Sequence, residues 1–490
     1  MNKSDLQRLI KLEGKIRKIV DDMGFTYLPT EFDVVPYEKM LEILAYRSSV
    51  SYSNWKFGRD YEIHKTIFQN VDPSLPYECV IHGNPSRAYL MNSNTFAVQV
   101  LVMAHVFGHT TFFKENRWFH NSREDMLNVL AGANERFIEY EKMYGIDEVE
   151  KVIDAGHAIQ FHSSPFDTET EEEKRQRLFK QMQETKKPFR SEFGDILEGR
   201  TEDINVDRYN SDLWRMLKKY NPVEPTEDLL RFIIDNSTSL EDWQKDILEV
   251  LRVEGQYFWP IMKTKFADEG FAVYLHERVV NKLFEDGDLT AEEHGQYNYS
   301  NSLVKASQRT SMNPYLIGSN IWESIEKRWD KGQHGKDWDE CENYKIKEAW
   351  DTKAMEGKAK VKSVLETHTD WMFFQDFLTH KLIQDLDLYI YLEQNYPDGS
   401  VEYIRSDHTL EQIRQIIINS FSGGGQPNIE VVDGNFKDNG YLLLNHKHTG
   451  SPLDKQYCEE TMKHIHYLWN RDILLKTQVN NQELIVHMRK

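Results

Sequence analysis

The sequence predicts a mainly α protein, with a large helical domain over residues 1–375 followed by a small α+β domain over residues 380–490. Three observations predict it. Apolar residues recur at three- and four-residue spacing through most of the first 375 positions, the period of a helix with one buried face. Near residues 370–385 the pattern changes to short alternating segments, the period of strands. At 39% hydrophobic and 12% aromatic, a chain of 490 residues can build sizeable cores.

The elements follow in order. Residues 1–25 read as a helix on Leu6, Leu9, Ile10, Ile16 and Ile19. "TEFDVVPYEKMLEILAY" gives an extended piece, then a helix from near Pro36. Glu78 to His82 is a short strand, Gly83-Asn84-Pro85 a turn, and the stretch to His109 a long helix. "SREDMLNVLAGANERFIEYEKMYG" is helical, with Ser122 as N-cap and Gly145 as stop. "IDEVEKVIDAGHAIQFH" is a further helix, and the charge-dense residues 167–203 a solvated helix or mobile segment. Helices follow in "TEDLLRFIIDNS", "LEDWQKDILEVLRVEGQYFWP", "FADEGFAVYLHERVVNKLFEDG" and "NPYLIGSNIWESIEKRWD", the last with Pro314 in its first turn. The C-terminal order is β-β-α-β-β-α: "DLYIYLEQ", "EYIRSD", "TLEQIRQIIINSFS", "NIEVVDGNF", "GYLLLNHKH" and a closing helix in "KQYCEETMKHIHYLWNRDILLKT".

Charge narrows the partners. Sixty Lys and Arg against 80 Asp and Glu leave a net charge of −20, which repels phosphate backbones and anionic headgroups. Nucleic acid is therefore not an expected partner; proteins are. Three scattered cysteines without a CxxC exclude a disulfide scaffold or zinc ribbon. The N-terminus has no signal-peptide core, and the apolar run around "FAVQVLVMAHVFGH" carries two histidines, so no membrane insertion and a cytoplasmic location are expected.

Three pieces carry candidate chemistry. His105 and His109 lie four apart, on one face of an apolar helix, the spacing of the histidines in H-E-x-x-H zinc helices. Val106 stands where the glutamate base of that motif would be. Glu269 and His276 lie two turns apart in "DEGFAVYLHE", with Ala272 between them. Asp154 and His157 lie three apart in "DAGHAIQFH", an arrangement in which an aspartate orients a ligating imidazole. The competing reading of each piece is structural: two core histidines, an acidic helix start with a surface histidine, and a helix-surface pair. His82 reads as structural; His446, His448, His464 and His466, in "NHKH" and "KHIHY", fit a metal site and plain strand alternation and helix surface equally well, and are not assigned to the site.

"MAHVFGHTTFFKENRWF", "DEGFAVYLHERVV", "NPYLIGSNIWESIEKRW", "VLETHTDWMFFQDFLT" and "SPLDKQYCEETMKHIHYLW", in that order, resemble the stage V sporulation protein R (SpoVR) family. The resemblance runs from about residue 4 to residue 485. It implies a cytoplasmic bacterial or archaeal protein, tied in spore formers to the cortex, a peptidoglycan layer, and elsewhere to stress or the envelope. His105, Gly108 and His109 match the family's A-H-x-x-G-H element. Glu269, Gly270, Ala272 and His276 match N-E-G-x-A-x-x-x-H, with Asp268 in place of the usual Asn. His157 matches D-x-C-H-A, with Gly156 in place of Cys. The resemblance supports one site built from all three pieces.

The leading expectation is a metal-dependent hydrolase, or at least a metalloprotein, with a degenerate zincin-like helical core. His105, His109, Glu269 and His157 would hold a divalent metal, zinc first, with iron or manganese as alternatives. His276 would move protons, and Glu139, on the next helix, would replace the missing base. The alternatives are a non-catalytic regulator that binds proteins and a non-haem iron protein.

Overall fold

The computed structural model describes residues 3–70, 78–163, 169–185, 211, 214–215, 217, 221–307, 311–396, 400–421, 426–450, 452–479 and 482–489. They form a mainly helical protein with three small sheets. The chain divides into two units: residues 1–138 with 257–425, and residues 139–256 with 426–490.

The first unit is assembled around one apolar helix. Helix α1 (Lys3–Asp22) buries Leu9, Leu12, Ile16 and Val20 and leaves Leu6 and Ile10 exposed. Strand β1 (Thr30–Val35), α2 (Tyr37–Tyr46), α3 (Trp55–Asn70), β2 (Glu78–Ile81) and β3 (Ser86–Met91) follow. The strands form a sheet in the order β1-β3-β2, parallel between β1 and β3 and antiparallel between β2 and β3. Helix α4 (Phe96–Glu115) opens on the Thr95 hydroxyl, which accepts from the Val98 N–H. Every residue from Ala97 to Phe113 is buried, as expected of a helix that is apolar on all sides. By length and composition α4 would span a membrane; here it is the core helix of the unit.

Helices α5 (Met126–Tyr144) and α6 (Ile146–Ile159) come next, then α7 (Glu171–Thr185), α8 (Leu229–Asn236) and α9 (Asp242–Lys263). Helix α10 (Lys265–Glu285) lies against α4 at closest approach: a β-carbon on Gly108 would sit 2.4 Å from Ala272 Cα. Helix α11 (Ala291–Val304) opens with a capping box on Thr290 and Glu293. Helix α12 (Pro314–Asp330) is capped by the Asn313 side chain and carries Pro314 in its first turn, as the sequence predicts. It meets α10 backbone to backbone, a β-carbon on Gly270 falling 2.3 Å from the Gly318 carbonyl carbon. Short helices α13 (Lys336–Asp339) and α14 (Tyr344–Glu348) lead to α15 (Gly357–Thr367), α16 (Asp370–Phe377) and α17 (His380–Asp385). The buried Asp370 carboxylate accepts from the Phe266 and Ala267 N–H groups and so caps α10.

The β4–β5 hairpin (Tyr391–Asn395, Val401–Arg405) and α18 (Leu410–Ser420) complete this unit. Residues 380–425, grouped with the C-terminal domain on sequence texture, cluster with the helical core because Ile413, Ile417 and Ile418 join its apolar cluster. In the second unit β6 (Ile429–Phe436), β7 (Tyr441–His446), β8 (Ile473–Val479) and β9 (Gln482–Met488) form a sheet in that order. It is stitched to residues from the middle of the chain: Thr226 bridges Val431, and α6 packs on α19 (Lys455–Trp469).

Several boundaries differ from expectation. Ser122 caps nothing, since α5 begins at Met126. The turn after β2 leads into a third strand before α4 begins. The closing helix ends at Trp469, where Asn470 turns left-handed (φ 58), and "ILLKTQV" then forms β8. Helix α9 runs through Pro260 to Lys263. Of the charged stretch 167–203, residues 171–185 are helical, and residues 167–168 and 186–203 lie outside the described residues.

Candidate metal centre

Helix periodicity puts His105 and His109 on one face of α4, and the Gly108–Ala272 contact brings α10 near enough for Glu269 to reach both. Its Oε2 lies 3.5 Å from His105 Nε2 and 3.4 Å from His109 Nε2. A fourth group arrives from β2. Glu78 Oε1 lies 3.1 Å from His105 Nε2 and 3.6 Å from His109 Nε2. The four ligand atoms all fall within 4.8 Å of one another. Glu78, His105, His109 and Glu269 thus form a buried cluster that can hold a divalent metal.

Three features fit this set to a cation. Ligands bound tetrahedrally at about 2.0–2.1 Å stand about 3.3–3.4 Å apart, and the four separations above bracket that edge. His105 Nε2 and Glu269 Oε2 are buried without a hydrogen bond of their own, a costly arrangement unless a further group binds them. The charge balance also calls for a cation. Burial pushes both glutamates up, yet the adjoining imidazoles outweigh it, holding Glu78 at about 2 and Glu269 below the usual carboxylate range. Burial pushes His105 and His109 down, yet the carboxylates raise both, His109 well above its ordinary value. Two ionised carboxylates therefore compete for positive charge, which a proton or a metal can supply.

The residues behind the cluster aim it. His109 Nδ1 donates to Asp268 Oδ1 at 2.8 Å, which leaves the Nε2 lone pair facing the glutamates. His105 is fixed through a longer chain. The Glu277 carboxylate accepts from Asn301 Nδ2 (2.8 Å) and Lys305 Nζ (2.9 Å), so Asn301 turns Oδ1 toward His276. His276 Nε2 donates to that oxygen at 3.0 Å, and His276 Nδ1 accepts from His105 Nδ1 at 2.9 Å. Burial holds His276 well below its ordinary pKa, consistent with a neutral ring. The charge of Glu269, with burial, raises the Tyr315 phenol well above its usual value, so Tyr315 stays a protonated donor beside the cluster.

The structure thus joins His105, His109 and Glu269, as expected, and adds Glu78, Asp268, Asn301 and Tyr315. Glu78 had no signal beyond its place in a short strand next to a turn; only the docking of β2 near α4 reveals it. His276 is buried, and both its nitrogens are engaged in hydrogen bonds, so in this arrangement it supports His105 rather than binding the cation directly. His157 is not among the four clustered groups. It is half-buried on α6 in the second unit, and the small residue beside it serves packing, since a β-carbon on Gly156 would lie 2.3 Å from Leu251 Cδ1. Glu139 is exposed and pairs with Lys142 Nζ at 2.7 Å, one helical turn on, an ordinary solvent-facing ion pair.

Comparison with known proteins agrees with this chain-wide pattern. Residues 3–426 match the family model described as SpoVR like protein, and residues 427–480 match the SpoVR-like C-terminal domain. The chain is 28% identical over 489 residues to the uncharacterized protein YcgB of Escherichia coli (strain K12), covering 92% of this chain and 88% of that protein. No solved structure matches it. With both models together spanning nearly its whole length, the chain belongs to the SpoVR family.

Proposed function

We propose that the protein is a divalent-metal-dependent hydrolase that cleaves amide bonds in cell-wall material or its precursors, acting from the cytoplasm in cortex formation or envelope maintenance. One observation carries the reading: two imidazoles with hydrogen-bond-fixed tautomers and two carboxylates converge on one buried point. A divalent cation bound there supplies Lewis acidity and an acidified water. His105, His109 and Glu269 hold it, in a degenerate form of the zincin arrangement. Glu78 takes the part that Val106 leaves vacant and that the exposed Glu139 cannot fill: Oε1 accepts the proton of the attacking water and returns it to the leaving nitrogen. Tyr315, kept protonated by Glu269, donates to the oxygen on which negative charge develops.

A second reading is favoured by the near-equal standing of the two glutamates. Glu78 approaches both imidazoles as closely as Glu269 does. A two-histidine, two-carboxylate set suits iron or manganese as well as zinc, and oxygen chemistry as well as hydrolysis.

Elemental analysis of untagged protein, together with a Glu78→Gln variant, separates the two. As the base, Glu78→Gln keeps the metal and stops metal-dependent release of amines from peptidoglycan fragments. As a ligand, it loses the metal. Protein that takes up no zinc, iron or manganese at micromolar concentrations would end both readings.

A further inference from the structure

Tyr274, Arg278 and Lys282 follow one another at four-residue spacing on α10 and line a cavity of about 530 Å³, to which no member of the metal cluster contributes. Its size falls within the range of small-molecule sites, about 300–1,000 Å³. The floor is apolar, from Ile19, Met23 and Phe25 at the end of α1 and the Tyr274 ring. The rim carries a cationic excess, Arg278, Lys282, Lys358 and Lys362 against Asp22 and Glu326. Arg278 lies over Tyr274, 3.5 Å from the ring centroid, and pairs with Glu326; Lys282 pairs with Asp286. Lys358 and Lys362, one turn apart on α15, have no ion pair among the described residues. In a chain of net charge −20, a concave apolar surface edged by uncommitted ammonium groups is a local reversal of sign.

We propose that this cavity binds an alkyl or aryl phosphate monoester, with its apolar body against Met23, Phe25 and Tyr274 and its phosphate at Lys358, Lys362 and Arg278. Two free ammonium groups on consecutive turns beside a guanidinium match a dianion better than a carboxylate. The apolar floor gives inorganic phosphate nothing further to bind. The concave shape and the strongly acidic remainder of the chain favour a free molecule over a membrane surface. The proposal does not depend on the metal reading.

Calorimetric titration of the full-length protein with octyl phosphate tests it. Saturable binding is expected, at least tenfold tighter than for inorganic phosphate or octanol. The Lys358→Ala/Lys362→Ala double variant should weaken binding at least tenfold. Ala359→Trp, at an exposed helix position on the cavity wall, should block it, with an unchanged circular dichroism spectrum in both variants. No saturation at millimolar octyl phosphate, binding no tighter than that of inorganic phosphate, or wild-type affinity in the double variant would each overturn the proposal. Lysine-dependent co-sedimentation with phosphatidylcholine vesicles containing phosphatidic acid would also overturn it, in favour of a lipid surface.

Discussion

His105 and His109 occupy equivalent places on one helix face, yet different groups hold them: a carboxylate behind His109 and a neutral imidazole–amide chain behind His105. Loss of an outer partner of a ligating histidine typically costs 10- to 100-fold in metal affinity. Asp268→Ala should show that loss in a competition titration with a chelating dye. Asp268→Asn should recover most of it, since the amide oxygen still accepts from Nδ1–H; no difference between the two would show that Asp268 does not orient His109. A separate residue-scale effect concerns His82, packed against Phe113, Phe119 and Tyr257. Burial lowers its pKa to about 4. The unfolded chain therefore binds this proton near pH 6.5 and the folded chain only near pH 4, so stability is lost as pH falls through that window. The full effect is about 3 kcal/mol. Urea midpoints at pH 6.5 and 4.5 should fall further for wild type than for His82→Phe; equal falls would place the acid sensitivity elsewhere. Sequence alone revealed His105, His109 and Glu269 because spacing along a helix is local information. Glu78 and Asn301 reach the cluster through tertiary docking, which no spacing encodes.

At the scale of elements, the cluster depends on how closely three helices approach. Gly108 against Ala272 and Gly270 against Gly318 leave no room for a methyl group. Gly108→Ala should cost about 1–3 kcal/mol, as overpacking does, and should reduce metal uptake by displacing Glu269 from the α4 histidines. Gly295→Ala, in α11 with open space around it, should instead stabilise by about 0.5–1 kcal/mol. Thermal melts and metal titrations of both variants check this pair; an unaffected metal affinity in Gly108→Ala would separate the helix approach from the site. The long helices were legible from apolar period and caps, as Pro314 after Asn313 illustrates. The strand "ILLKTQV" was hidden because it follows a helix after only Asn470, Arg471 and Asp472, and its alternation is too short to outweigh the helical run before it. In the same way β3 merged with the apolar run that leads into α4.

For the whole molecule, the second unit is discontinuous in sequence, and its sheet takes contacts from residues 139–256. A fragment of residues 380–490 lacks those partners and should give a largely unfolded circular dichroism spectrum. Co-expression of residues 139–256 with 426–490 should restore order; a cooperative melt from 380–490 alone would contradict this. Metal should act on the first unit as a whole. Chelator treatment should lower its melting temperature, and metal restored to 100 times its Kd should return about 2.7 kcal/mol. The interruption of the first unit also sets the order of events at the ribosome. Helix α4 is made long before α10 and α12, its packing partners. The roughly 150 residues between α4 and α10 take on the order of ten to thirty seconds to synthesise. Through that interval the nascent chain carries a segment that meets the length and hydrophobicity of a membrane anchor. Holding factors that keep it from the translocation machinery should therefore be needed, and chains halted at residue 256 should pellet with membranes or aggregates while the full chain stays in the supernatant.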